Sequence, residues 1–392
     1  MAGPLADLRV VDFSKFLPGP YCTWMLGDLG AEVVRLENPR ELTKQAAVFG
    51  WDQLSDAERV RMRAQDLFGR NKRSLAIDPG HAASRPVIEA LVRRADILVE
   101  DYRPGVMEKM GLGYAAMTAV NPRLVYCSVT LCGQTGPYRT KPGHDPIALS
   151  ISGALSRSGE DPDAPTFPGI PAADLLTGSN AVIGILAAVI ARATTGRGQQ
   201  VDVAMSDSAM ALIGNLIARH PDLSTVPPRG QRRTDSGIWR TRDGRFLCTT
   251  DMEPAYWARF CTAVGRPDFM PLQRDPQAAP MIRTALEAIF ATRDLAAWLE
   301  VLGAAETQFA AVYEPEEALA DPHNLARGMV VELETDDGER IRQLGSPVKL
   351  SETPAAARRL AVPAGADAEA VLAELGYDAA AIARLRAEGA LG

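Results

Sequence analysis

Over the first 130 residues, short and nearly continuous apolar runs alternate with stretches of helical period. Leu8–Phe13 (LRVVDF), Glu32–Leu36 (EVVRL), Ile97–Val99 and Leu124–Val129 read as strands. Tyr21–Leu29, entered through Pro18-Gly19-Pro20, and Pro86–Arg94 read as helices. Strands apolar on both faces and separated by helices predict a parallel sheet covered on both sides. Between Pro39 and Gly69 lies a polar insert whose helical period runs from Leu54 to Leu67, expected to be a surface excursion or lid. A long apolar helix follows Asp174 and stops at Thr195-Gly196, and Val201–Met205 is strand-like again.

The pattern changes at 221–237 (PDLSTVPPRGQRRTDSG), rich in Pro, Gly and charge, which predicts a domain boundary. Beyond it, IWRTRDGRFLCTT reads as a hairpin about Asp243-Gly244, followed by helices at 254–264 and 281–302. Strands near 329–333 and 341–344 and two amphipathic helices, Asp367–Leu375 and Ala379–Glu388, close the chain. The expected organisation is α/β: a large domain over 1–220, a smaller α+β domain over 221–328, and a return to the large domain over 329–392. The length of 392 residues fits two or three domains of about 150 residues.

Composition narrows the function. A net charge of −7 argues against broad nucleic-acid or anionic-membrane binding. The five cysteines are scattered, with no CxxC, so a disulfide framework or thiolate metal site is not expected and a reducing cytoplasm fits. The start, MAGPLADLRVVDF, has no basic segment before a long apolar run, so no signal peptide is expected. Ala181–Ala191, the most apolar run, is short for a bilayer span and suits a buried helix.

The βαβ start suggests a dinucleotide site, with Glu37 where a ribose-binding acid would stand. The first strand–helix turn, however, reads SKFLPGP rather than GxGxxG, and its prolines remove backbone donors. GxxxxGK[ST], GxSxG and HExxH are absent. His144, in KPGHD, is either a loop histidine or a proton carrier near neutral pH. Asp174, in PAADLLTGS, is either the N-cap of the long helix or a carboxylate in an apolar wall beside the helix's positive end. Arg70-Asn71-Lys72-Arg73 suits a phosphorylated ligand or a solvated strand edge, and Arg103, after a predicted strand, stands where doubly wound folds place ligands.

Together these stretches resemble the family III CoA-transferase superfamily, and within it the α-methylacyl-CoA racemases. The resemblance is carried by PLADLRVVDF, LPGPYCTWMLGDLGAEVVRLE, GRNKRSLAID, ADILVEDYRPGVMEKMGLGY, NPRLVYCSVT, PGHD, AADLLTG, TGRGQQVDVAM and DPHNLARG, collinear to about residue 330. It implies a Rossmann-like large domain with an inserted smaller domain, in an interlocked homodimer. It further implies a CoA thioester as substrate, with no tightly bound cofactor and no metal. His144, Asp174 and Glu253 would be catalytic. Arg35, Lys72, Arg103 and Lys109 would approach the CoA groove together with Gly143 and Asp145, and the backbone of Ala76, Ile77 and Asp78 would face adenine.

Two reactions fit those residues. Racemisation of a 2-methylacyl-CoA, a step of lipid metabolism, needs a proton removed next to the thioester carbonyl and one returned to the opposite face. His144 and Asp174 would exchange those roles, and the amides at the start of the long helix would stabilise the enolate oxygen. This reading is favoured by the co-occurrence of His144, Asp174 and Glu253. The alternative is CoA transfer to a carboxylic acid, with Asp174 as nucleophile; the form ADLLTGS is nearer to transferases. A CoA-binding scaffold is the non-enzymatic alternative.

Overall fold

The computed structural model describes residues 3–161, 163–230 and 233–392. Gln231 and Arg232, within the expected boundary stretch, lie outside the described residues, as do Met1 and Ala2 at the start. The chain divides into two compact units: Met1–Ser156, Phe167–Leu223 and Leu325–Gly392 form one, Arg157–Thr166 and Ser224–Asn324 the other.

The first unit is built on six parallel strands: β1 (Arg9–Asp12), β2 (Glu32–Glu37), β3 (Lys72–Ala76), β4 (Ile97–Glu100), β5 (Val125–Thr130) and β6 (Gln200–Ala204). Their order is β3-β2-β1-β4-β5-β6, with Val10 of β1 opposite Val33 on one side and Ile97 on the other. Alternation along β1 sends Val11 to one face and Val10 to the other, and each joins a separate apolar core. Helix α1 (Pro18–Asp28) and the long helix Ala172–Thr195 cover the Val10 face. The helix at Ser84–Arg94 and the two C-terminal helices, Ala368–Glu374 and Ala379–Ala387, cover the other. The alternating apolar runs therefore produced the parallel, doubly covered sheet that they predict.

Three departures from the sequence expectations have local causes. The insert folds as two helices, α2 (Pro39–Phe49) and α3 (Asp56–Ala64). Asn38 caps the first through its side chain, and Ser55 with Glu58 forms a capping box on the second. The predicted helix over 281–302 is two, Ala279–Phe290 and Leu295–Ala304, because Asp243 accepts the Leu295 N–H and fixes a new start. The long helix begins at Ala172 and runs 24 residues, apolar enough by length and composition alone to cross a membrane. It carries Asp174 in its first turn, and near its end Arg192 pairs with Asp96 at 2.9 Å, so its buried face belongs to the sheet's core.

The second unit is a three-stranded antiparallel sheet, Ser236–Arg240, Phe246–Thr250 and Phe309–Ala311, packed by helices. The expected hairpin about Asp243-Gly244 is its first pair, and Gly244 takes φ +80°, a conformation that favours glycine. Trp239, Trp257, Phe260, Phe290 and Trp298 form its core. Each indole N–H is satisfied: Trp239 by the Thr249 hydroxyl, Trp257 by the Phe269 carbonyl and Trp298 by the Phe290 carbonyl.

Candidate active site

Two cavities open in the first unit at the carboxyl ends of the strands, where the order reverses between β1 and β4. Doubly wound sheets place ligands at such a switch point. One, of about 400 Å³, is lined by Phe16 and Pro18 after β1, Asp101 to Pro104 after β4, Leu131 after β5, and by His144 and Asp174. The other, of about 410 Å³, lies over the end of β2, beneath Leu42, Phe49 and Met62 of the insert. Phe16 and Tyr102 line both, so the cavities adjoin. The insert therefore roofs the second cavity.

Asp174 is not the N-cap of the long helix Ala172–Thr195. That position is Pro171, which has no side-chain acceptor. The cap function passes to Asp145, whose Oδ2 accepts the N–H of Ala173 at 2.6 Å and of Asp174 at 3.1 Å. The Ala172 and Leu175 N–H groups donate to the carbonyls of Ile170 and Pro171. All four first-turn donors are thus spent, which corrects the expectation that this helix start stabilises an enolate oxygen. Asp145 itself is buried and committed to the cap rather than to CoA. Asp174 is left half-buried, with no hydrogen bond to its own carboxylate among the described residues. Burial, and secondarily the Asp145 charge, push its pKa up to about 6.

His144 is the N-cap residue of the short helix Asp145–Ile151 and is exposed. Its ring meets Phe16 edge-on at 5.7 Å, and among the described residues no hydrogen bond orients its nitrogens. Gly143 lines the same cavity for a steric reason: a Cβ there would stand 2.9 Å from both Ile147 Cβ and Leu131 Cδ2. Arg103 lines the cavity and is exposed, while Lys109, at the end of Val106–Lys109, is exposed and lines neither cavity.

Several expected CoA contacts have other occupations. Lys72 is buried, its ammonium bonded to Asp12 Oδ2 at 3.0 Å, Thr23 Oγ1 at 2.6 Å and the Pro20 carbonyl at 3.3 Å. Three donors with three partners leave none for a phosphate. Burial alone would raise the Asp12 carboxyl, but Lys72, Ser14 and Thr23 outweigh it and hold the carboxyl below its usual range. The rest of the basic cluster is structural too. Arg70 is fully buried on Asp28 and also donates to the Leu344 carbonyl. Asn71 holds the backbone at Ala356, Arg358 and Arg359, and Arg73 pairs with Glu32 and Glu374. The run that resembles a phosphate site is the clasp that ties the C-terminal return onto the sheet.

The backbone of Ala76, Ile77 and Asp78 is likewise occupied. The Gly392 N–H donates to the Ala76 carbonyl, Ile77 donates to Glu37 and bridges Leu391, and the Asp78 N–H donates to Ala390. Arg35 does line the second cavity, but Asp66 at 3.4 Å and Glu37 at 3.7 Å neutralise it. Glu37 also pairs with Arg63 and accepts the Ser74 hydroxyl, so no ribose-binding acid stands free. Glu253 lies in the second unit, exposed, at the start of the helix Pro254–Ala263.

The structure adds two carboxyls that sequence reasoning passed over. Asp101 Oδ2 accepts the Lys15 N–H at 2.8 Å and fixes the loop that carries Phe16, while its Oδ1 is buried with no hydrogen-bond partner among the described residues. Burial pushes Asp101 up to about 7 against the opposing pull of Lys15. Burial pushes Glu100 up to about 8 despite hydrogen bonds from Ser128 and the Tyr102 N–H. Their signal is position alone, at the carboxyl end of β4, three and two residues before Arg103.

The family model of CoA-transferase family III matches residues 5–368. The chain belongs to this family. An acyl-CoA transferase of Fusarium pseudograminearum is 31% identical over 404 residues, covering 99% of this chain and 88% of that one. The α-methylacyl-CoA racemase of Mus musculus is 30% identical over 392 residues, covering 98% and 96%. A solved CAIB/BAIF family protein from Brucella suis superposes with a TM-score of 0.80 at 26% identity, covering 96% of this chain and all of that one. Relatives of this family III enzyme thus include both CoA-transferases and racemases.

Proposed function

We propose that this family III enzyme transfers CoA between an acyl-CoA and a carboxylic acid, with Asp174 as the nucleophile. The supporting observation is the asymmetry between its two candidate groups. Asp174 is anchored in the first turn of a 24-residue helix that Asp145 caps, and among the described residues its carboxylate accepts no hydrogen bond. His144 sits at an exposed loop–helix junction with only an edge contact to Phe16. Transfer needs one fixed, unencumbered carboxylate. Racemisation needs two fixed groups.

In this reading an Asp174 oxygen attacks the thioester carbonyl, the C–S bond breaks and CoA leaves as thiolate, giving a mixed anhydride. The thiolate then attacks the aspartyl carbonyl, releasing the first acid and leaving CoA as a thioester on Asp174. The acceptor carboxylate reverses both steps. The CoA chain reaches Asp174 through the adjoining cavity. The apolar side chains exposed along Ile183, Ile190, Met210 and Ile217 are covered by a second copy of the chain. Sedimentation should then show a dimer, and a stable monomer would remove that part of the reading.

Racemisation is the second reading, favoured by His144 lining the same cavity as a carboxyl whose pKa lies near 6. One experiment separates them. A single 2-methylacyl-CoA enantiomer is incubated in heavy water with and without an acceptor acid. Transfer predicts strict dependence on the acceptor, no deuterium at the α-carbon, and conversion of Asp174 to its hydroxamate when hydroxylamine attacks the activated aspartyl carbonyl and displaces the acid or CoA. Acceptor-independent deuterium uptake with drift towards equal enantiomers would select racemisation.

A further inference from the structure

The insert that roofs the second cavity has almost no core of its own. α2 contributes no buried residue and α3 only Ala64. Their apolar side chains Leu42, Phe49 and Met62 line the cavity instead. The end of α3 is moored to the body: Arg63 pairs with Glu37 and donates to the Val362 carbonyl at 2.8 Å, and Gln343 donates to the Ala64 carbonyl at 3.0 Å. From Thr43 to Val60, by contrast, the side-chain hydrogen bonds and ion pairs among the described residues close within the insert. Gly50, which ends α2, takes φ +71°, and a Cβ there would meet nothing within 4 Å. A segment with so little buried apolar contact opens at small cost.

The start of α2 is tied to the body chiefly by Lys15. Its ammonium lies 3.0 Å from each Glu41 carboxylate oxygen and 3.5 Å from the centre of the Tyr102 ring. A second tie, Arg40 to Asp78 at 3.2 Å, is made by a side chain that is 73% exposed, where an ion pair holds little. The Lys15 and Glu41 side chains are only 20% and 32% exposed, and an ammonium over an aromatic face gains further attraction. The Lys15 backbone is fixed as well, through its N–H on Asp101. Lys15, Glu41 and Tyr102 all line the second cavity, and Phe16, the next residue after Lys15, lines both cavities.

We infer that the insert is a lid over the second cavity and that Lys15 is its latch, closed by Glu41 on the lid and seated on Tyr102 of the body. The inference rests on the reading that CoA enters this cavity, and it adds how that cavity is shut. A ligand beneath the lid touches it only in the closed state, so binding and closure favour each other. Such closure excludes water and commits the ligand. Lys15 is a positioning residue here: it holds the lid on one side and, along the backbone, Phe16 at the junction of the two cavities.

Hydrogen–deuterium exchange on the full chain, with and without CoA, tests this. Without ligand, Lys15→Met and Glu41→Gln should each speed exchange of the amides over 41–53 by about fivefold or more, while Lys15→Arg, which keeps the cation, should not. The amides of β1 and β4 should exchange as in the unaltered protein, which separates an open latch from a loosened fold. Saturating CoA, with binding established by calorimetry, should slow exchange over 41–53 in the unaltered protein, and CoA should dissociate faster from both latch variants. Unchanged exchange over the insert in Lys15→Met and Glu41→Gln would overturn the latch. CoA that binds without protecting the insert would overturn the lid and leave the acyl-CoA reading standing. If CoA did not bind at millimolar concentration, that reading would fall, and the lid with it.

Discussion

Asp145 caps the helix on which Asp174 rides: one carboxylate oxygen accepts the N–H of Ala173 at 2.6 Å and of Asp174 at 3.1 Å. The acid next to His144 in sequence thus orients the other candidate group of the cavity. It anchors that group and, through its charge, raises the proton affinity of the Asp174 carboxyl, with burial the larger cause. Adjacent residues in PGHD therefore divide the work: His144 lines the cavity and Asp145 holds the helix.

This relationship sets a pH dependence. Protonated Asp174 is not a nucleophile, so kcat/KM should fall as pH drops through about 6. Asp145→Asn keeps an acceptor for the two amides and removes the charge, so this acidic limb should move to lower pH. Stability carries the opposite sign. The folded carboxyl holds its proton to about 6 against an ordinary 3.8, so the native state binds more protons between those values. This contribution to stability is lost as pH rises through that window. Asp174→Asn should abolish turnover and flatten the stability dependence, and an acidic limb that Asp145→Asn leaves in place would contradict the assignment.

The cap itself has a separate signature. Asp145→Ala leaves two first-turn amides without an acceptor and should cost about 0.5–2 kcal/mol of stability, read by urea denaturation. Asp145→Asn should recover most of that loss. Equal stability of the two variants would show that the amides find another acceptor.

Lys72 should behave as part of the fold rather than of the CoA groove. Lys72→Met strands the buried Asp12 carboxylate and should destabilise the protein by about 3–5 kcal/mol. Replacing both, Asp12→Leu with Lys72→Met, should recover much of that, since two matched apolar groups leave no charge unpaired. Calorimetry at a temperature where the variants remain folded should find CoA affinity unaltered within a factor of three. A selective loss of CoA binding would return Lys72 to the ligand site.

The difference between what was legible and what was not is physical. The sheet could be read because β1, β2, β4 and β5 each have an apolar middle buried on both faces: Val10-Val11, Val33-Val34, Ile97–Val99 and Val125–Cys127. His144 and Asp174 could be brought together by resemblance, and they line one cavity. Basic residues misled because charge in a sequence does not show its partner. The acids that neutralise Arg70, Lys72 and Arg73 lie between 41 and 301 positions away in the chain. The Ala76–Asp78 backbone is taken by the last three residues, a pairing that no local pattern announces. Asp101 escaped notice because its environment, and not its neighbours in sequence, makes it unusual.

Gly143 offers a test of how far His144 matters, without touching the imidazole. Its φ is not in the left-handed region, so an alanine there costs little in backbone conformation. The added Cβ would stand 2.9 Å from Ile147 Cβ, which is fixed next to the backbone, and 2.9 Å from the Cδ2 methyl of Leu131, whose side chain is buried. The contact is relieved only by moving the loop at Gly143–His144 outward from the helix that Asp145 begins. Asp174 is held through the long helix Ala172–Thr195 and the Asp145 cap, so the histidine should shift more than the aspartate. If CoA transfer runs on Asp174 alone, Gly143→Ala and His144→Ala should each lower kcat less than tenfold, while Asp174→Ala abolishes turnover. If His144 carries a proton in the reaction, both loop variants should cost on the order of 100-fold or more, the usual scale of general acid–base catalysis. Parallel kinetics on the three variants therefore weigh the histidine against the aspartate, and a loss of that size in Gly143→Ala and His144→Ala would overturn the single-nucleophile reading.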